Sequence, residues 1–167
     1  SDVTLNSLDF QPDWVWLKKT SSSGDHLTYD SVRGTNKRLT INGNDAEVDR
    51  SSNNDELKSF NSDGWTLGTF NSNVTGSGST CISYNWKASG STASNTDGSI
   101  TSTVSANTTA GFSIVKYTGA GTGTTTTIGH GLGGVPEMYT VKSLDSLGNW
   151  QTYHHQMSSD PKTDYIQ

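Results

Sequence analysis

The chain has 167 residues, enough for one domain or one and a fraction, and only 29% of them are hydrophobic. Disorder combines low hydrophobicity with high net charge and few aromatics, whereas here a formal charge of −5 accompanies five Trp, six Tyr and four Phe. A single cysteine excludes an internal disulfide and a cysteine-based zinc cluster, and no apolar run approaches the roughly 20 residues that span a bilayer.

Residues 13–19 read as a strand, with Trp14, Trp16 and Lys18 on one face and Val15 and Leu17 on the other. The tryptophan pair is expected to wall the protein core; a sugar-stacking platform is the alternative. Ser21 to Gly24 turns the chain and Leu27 to Arg33 returns as the partner strand. Arg33, Lys37 and Arg38 suggest a phosphate contact, but Asp30, Asp45, Glu47 and Asp49 cancel their field, so no nucleic acid is expected. Residues 42–59 are polar, with Asn42-Gly43 as a turn. Asp45, Asp49, Asp55 and Asp63 lack the alternating spacing of a calcium loop and read as solvated acids.

Asp63-Gly64 marks a tight turn into a strand, and Asn71 to Gly78 is a loop. Thr80 to Ala88 alternates as a half-buried strand, Ile82, Tyr84, Trp86 and Ala88 on one face, Cys81, Ser83, Asn85 and Lys87 on the other. Cys81 is expected to be a small buried hydrophobe. Ser89 to Asp97 reads as a linker, Ser99–Ser105 as a strand with Ile100 and Val104 inward, and Phe112–Tyr117 as another strand. Thr124–Thr127 is a β-branched run entering Ile128. No apolar pattern holds a 3.6 period for three turns. About ten short strands between turn signals predict an all-β, antiparallel β-sandwich of jelly-roll-like type.

One stretch is written twice. Shifted by 124 positions, Pro136-Glu137 falls on Pro12-Asp13, Val141-Lys142 on Leu17-Lys18, Gly148-Asn149 on Gly24-Asp25 and Thr152-Tyr153 on Thr28-Tyr29. Segments 8–29 and 132–153 are therefore expected to form equivalent hairpins, entered at Pro12 and Pro136 and left at Tyr29 and Tyr153. The predicted organisation is a repeat unit over 1–124 and the opening hairpin of a second over 125–167, in a piece of a longer polypeptide.

No catalytic site is legible. His130 lies in Gly129-His-Gly-Leu-Gly-Gly134, which precedes a strand rather than a helix N-terminus and so reads as a turn. His154 and His155 are adjacent, face opposite ways on a strand, and do not share a metal. No Gly-x-Ser-x-Gly elbow occurs, and Asp13 and Glu137 hold equivalent repeat positions, which suggests architecture. The expectation is a non-enzymatic chain with no cofactor and no bound metal. The candidate carbohydrate contacts are Trp150, His154 and His155, whose rings offer apolar surface plus donors; alternatively Trp150 packs against the rest of its own repeat.

Several motifs carry a resemblance. Phe10-Gln-Pro-Asp-Trp-Val-Trp-Leu-Lys18, Asp30-Ser-Val-Arg-Gly34, Ser59-Phe-Asn-Ser-Asp-Gly-Trp-Thr-Leu-Gly68, Trp86-Lys-Ala88, Gly111-Phe-Ser-Ile-Val-Lys-Tyr-Thr-Gly119 and Gly129-His-Gly-Leu-Gly133 occur in this order. Over nearly the whole chain they resemble a repeated β-rich domain of virion and tail-fibre-like proteins of marine and aquatic tailed phages. Two departures bear on how its strand packs: Asn85 stands where a smaller or apolar neighbour of the tryptophan is expected, and Cys81 lies earlier than the cysteine of that family's strand.

The resemblance implies a structural and adhesive domain of a virion appendage, located in the virion or outside the cell. Its partners would be other virion proteins, further copies of itself (a trimer by analogy with fibres) and a host surface glycan, with no membrane insertion. A non-viral extracellular carbohydrate-binding module, a purely structural capsid-surface or filament protein and, third, an enzyme such as a capsule depolymerase are the rival readings.

Overall fold

A computed structural model describes residues 1–69 and 72–157. The strands are β1 (Val3–Leu5), β2 (Trp14–Lys19), β3 (His26–Asp30), β4 (Lys37–Thr40), β5 (Val48–Asp49), β6 (Leu57–Asn61) and β7 (Gly64–Leu67). After one helical turn, α1 (Ser72–Thr75), come β8 (Cys81–Trp86), β9 (Ala93–Asn95), β10 (Ser102–Asn107), β11 (Phe112–Tyr117), β12 (Met138–Val141) and β13 (Gln151–His154). The fold is all-β and β-sandwich-like, and every pairing between these strands is antiparallel. A five-stranded sheet in the order β5-β4-β3-β2-β8 packs on a three-stranded sheet, β1-β7-β6. A second three-stranded sheet, β11-β10-β9, and the hairpin β12-β13 complete the fold. Asn71, within the predicted loop, and residues 158–167 of the predicted second unit lie outside the described residues.

The core follows from strand periodicity. Val15 and Leu17 on β2 and Leu27 and Tyr29 on β3 point into the sandwich, where Leu57, Trp65, Leu67 and Val74 close over them. Each such aliphatic side chain contributes about 1.5–3 kcal/mol by leaving water. Tyr29 brings a hydroxyl into this core and donates it to Glu56, whose other carboxylate oxygen accepts from Arg38. Arg33 is likewise buried between Asp30 and Glu47. Arg33 and Arg38 thus sit in internal ion pairs, the arrangement a buried charge requires, while Lys37 pairs with Asp49 nearer the surface at 3.4 Å.

Buried Asp13 fixes the start of β2. Its carboxylate accepts from Ser31 Oγ (2.7 Å), Ala88 N (2.7 Å) and Gly90 N (3.1 Å), tying the first hairpin to the segment after β8. Gly64, expected as a turn residue, opens β7 instead, and the two-residue turn is Ser62-Asp63. Glycine is required there by crowding: a Cβ would come within 1.9 Å of the Leu5 carbonyl oxygen on β1.

Several expectations are corrected. Cys81 is exposed, because it opens β8 at an edge of the five-stranded sheet. The predicted loop at 71–78 contains α1, and the predicted linker at 89–97 contains β9. The β-branched run Thr124–Thr127 leads, as read, into Ile128, which forms a parallel bridge with Ile100.

Candidate functional site

The alternation that buries Val15 and Leu17 drives Trp14, Trp16 and Lys18 onto the opposite face of the five-stranded sheet. β8 runs antiparallel beside β2 and sets Trp86, Tyr84 and Ile82 directly across from Trp14, Trp16 and Lys18. Four rings form a two-by-two array. Centroids lie 4.4 Å apart for Trp14–Trp86, 5.3 Å for Trp16–Tyr84, 6.3 Å for Trp14–Trp16 and 6.2 Å for Tyr84–Trp86. Those spacings match favourable tilted aromatic contacts.

β3 holds the array from the other side. The Trp14 indole N–H donates to Thr28 Oγ1, and that of Trp16 donates to His26 Nδ1 at 3.2 Å. Both donors are engaged within the sheet, so what the tryptophans offer outward is ring surface. One end of the array is covered by Phe112 of β11, stacked on Trp14 at 6.1 Å and 19°. The other end is open: Tyr84 is 45% and Ile82 40% exposed, and Trp16 is half-buried. Lys18 and His26 border the open end, cross-strand partners of each other. A rigid, flat aromatic surface edged by hydrogen-bonding groups suits the apolar face of a sugar ring and its hydroxyls.

The expectation that Trp14 and Trp16 wall the sandwich core is therefore corrected. The core takes the other face of β2, which the branched aliphatic side chains fill. On β8 it is Asn85, not Trp86, that turns toward the sandwich, where its side-chain oxygen accepts from Trp65 Nε1 at 3.0 Å.

The residues singled out in the sequence lie elsewhere. Trp150 is half-buried just before β13, and its indole N–H donates to the Thr40 carbonyl at 3.0 Å, so it joins the second hairpin to the end of β4. Leu144 and Gly148 reinforce that joint through backbone bonds with Glu47 and Asn44. His154 ends β13 and His155 lies in the following turn, so the pair does not alternate as on a strand; the rings approach to 5.0 Å. His130 accepts the Leu132 amide within its own loop, at 3.2 Å.

Two other features contribute less chemistry. A cavity of about 230 Å³ opens between β1 and β8, lined by Val3, Leu5, Leu17, Leu67, Val74 and Cys81. It is apolar, and burial pushes the Cys81 thiol pKa up, away from thiolate chemistry. Among the described residues, no three His, Cys, Asp or Glu side chains converge as a metal site would need.

A family model matches residues 1–167, the full length of the chain. The chain belongs to the family described as Domain of unknown function (DUF7483). No curated protein and no solved structure matches it. In this DUF7483 member the matched range spans both hairpins and the aromatic face. Tyr84 and Trp86 are legible in the sequence as an alternating pair, like Trp14 and Trp16. Their meeting depends on β2 pairing with a strand more than sixty residues away, which no local pattern encodes.

Proposed function

We propose that this domain is a structural and adhesive repeat of a virion appendage of tail-fibre type, and that the open end of its aromatic face stacks on host surface glycans. The reading is non-enzymatic, and the domain works outside the cell. The observation that carries the glycan contact is the array of Trp16, Tyr84 and Trp86, anchored from within and exposed at one end. An array locked on a sheet loses little conformational entropy when a ligand stacks on it. The motif order described above supports the appendage setting. Assembly into a homo-oligomer, a trimer by analogy with fibres, belongs to the same proposal, and light scattering of the intact protein tests it.

A purely structural filament protein is the second reading. Exposed Ile82 and Tyr84 favour it if a neighbouring copy covers them. Glycan-array binding followed by titration separates the two. Binding that weakens about ten-fold or more in Tyr84→Ala and Trp16→Ala, with folding unchanged, supports adhesion at this face. Binding lost in Trp150→Ala but kept in Tyr84→Ala would move the contact to the second hairpin with His154 and His155. Absence of binding to every glycan leaves the structural reading.

A further inference from the structure

The hairpin β12-β13 repeats β2-β3 in backbone detail. Trp14↔Asp30, Val15↔Tyr29, Trp16↔Thr28 and Leu17↔Leu27 pair in the first hairpin. Shifted by 124, these become Met138↔His154, Tyr139↔Tyr153, Thr140↔Thr152 and Val141↔Gln151, the four pairs of the second. The bond from Ser31 N to the Asp13 carbonyl also recurs, as His155 N to the Glu137 carbonyl, both at 2.8 Å. Pro12 and Pro136 each stand two residues before their strand.

The surroundings differ completely. Val15, Leu17, Leu27 and Tyr29 are at most 2% exposed beneath β6, β7 and α1, and β8 pairs along the edge of β2. Their counterparts include Tyr139 at 51% and Val141 at 38% exposure, and β12 has β13 as its strand partner. The Tyr139 and Tyr153 rings stack on each other at 4.8 Å and 12°, and among the described residues neither belongs to the core cluster that holds Leu57 and Leu67. The contacts described above tie this hairpin to the first unit through its connecting segment, by Leu144, Gly148 and Trp150. Among the described residues, Tyr139 and Val141 on its sheet stay exposed. A lone two-stranded hairpin is marginal in water.

We infer that β12-β13 is the opening pair of a second unit, and that its Tyr139–Val141–Tyr153 face and the free edge of β12 receive a second copy of the segment that runs from β4 to β8. The occupant is identified within the molecule, since the first hairpin, in the same register, is covered by that segment. Tyr153 stands where Tyr29 donates to Glu56, so the incoming copy supplies the matching carboxylate. The contact between the segment after β12 and residues 40–47 is then a head-to-tail joint, and heterologous joints of this kind build extended arrays. The inference is independent of any glycan.

The test lengthens the chain: residues after Met157, the counterpart of Arg33, are replaced by a second copy of residues 34–124. Hydrogen exchange is compared with the 167-residue chain. Amides of β12 and β13 are expected to exchange about ten-fold or more slowly in the lengthened chain, while those of β2 and β3 stay as they were. Val141→Asp should abolish the gain and leave the first unit's protection intact in both chains. Equal hairpin exchange in the two chains, an appended segment that stays unfolded beside a folded first unit, or protection that survives Val141→Asp would each overturn the inference.

Discussion

The indole of Trp14 lies directly across from that of Trp86 on the neighbouring strand, with centroids 4.4 Å apart, and its ring also stacks on Phe112 of another sheet. Trp14 is therefore a joint between sheets. Tyr84 lies on the same face, meets Trp16 and Trp86, and remains 45% exposed. The two positions should separate on substitution. Trp14→Ala is expected to lower the unfolding free energy by about 2–4 kcal/mol, and Tyr84→Ala by about 1 kcal/mol or less. Urea denaturation checks this, and equal losses would make Tyr84 architectural as well.

Asp13 and Glu137 occupy equivalent repeat positions with opposite surroundings, the first buried and the second exposed. Asp13→Ala removes the acceptor for Ala88 N and Gly90 N and is expected to cost about 3 kcal/mol. Glu137→Ala should stay within about 0.5 kcal/mol. Exchange of the Ala88 and Gly90 amides reads the mechanism: both should speed up in Asp13→Ala. If they do not, the carboxylate is dispensable for holding the segment after β8.

Local pattern carried much of this fold. Alternation placed β2, β3, β8 and β11 to within a few residues, and the 124-residue repeat anticipated the second hairpin's register. What it did not carry depends on long-range pairing. β1 has three residues and β5 two, and they are strands because β7 and β4 lie beside them. Trp14 and Val15 are both apolar, so periodicity separates their faces without saying which one meets the second sheet. That choice came from β6 and β7, whose Leu57, Leu67 and Trp65 pack on Val15 and Leu17. Cys81 was misplaced for a related reason: its burial depends on a neighbour beyond β8, and β8 is an edge.

Gly64 provides a steric test of how β1 is held. Its Cα lies so near the Leu5 carbonyl that an added methyl would have to displace backbone. Gly64→Ala is expected to detach or shift β1 and to cost about 2 kcal/mol or more. Thr4 and Leu5 amides should lose protection while those of β2 and β3 keep theirs. Unchanged protection in β1 would mean that the sheet β1-β7-β6 absorbs the clash by sliding.

Tyr29 gives the pH dependence. Burial, and then the adjacent Glu56 carboxylate, hold its phenol pKa well above the usual 10.0, since ionisation would put a second negative charge in the core. In the unfolded chain the same phenol ionises near 10. Below that pH the contribution to stability is fully present; above it the unfolded state sheds a proton that the folded state keeps. Stability therefore falls as pH climbs from 10 through the raised folded value, by up to about 1.4 kcal/mol per pH unit from this group. Tyr29→Phe has no phenol to titrate but leaves Glu56 without one donor, at a cost of about 1–2 kcal/mol near neutrality. Unfolding free energies of the two proteins should accordingly differ at pH 7 and converge above pH 10. A gap as wide at pH 11 as at pH 7 would mean that the folded phenol ionises as readily as the unfolded one, and that Glu56 does not hold it neutral.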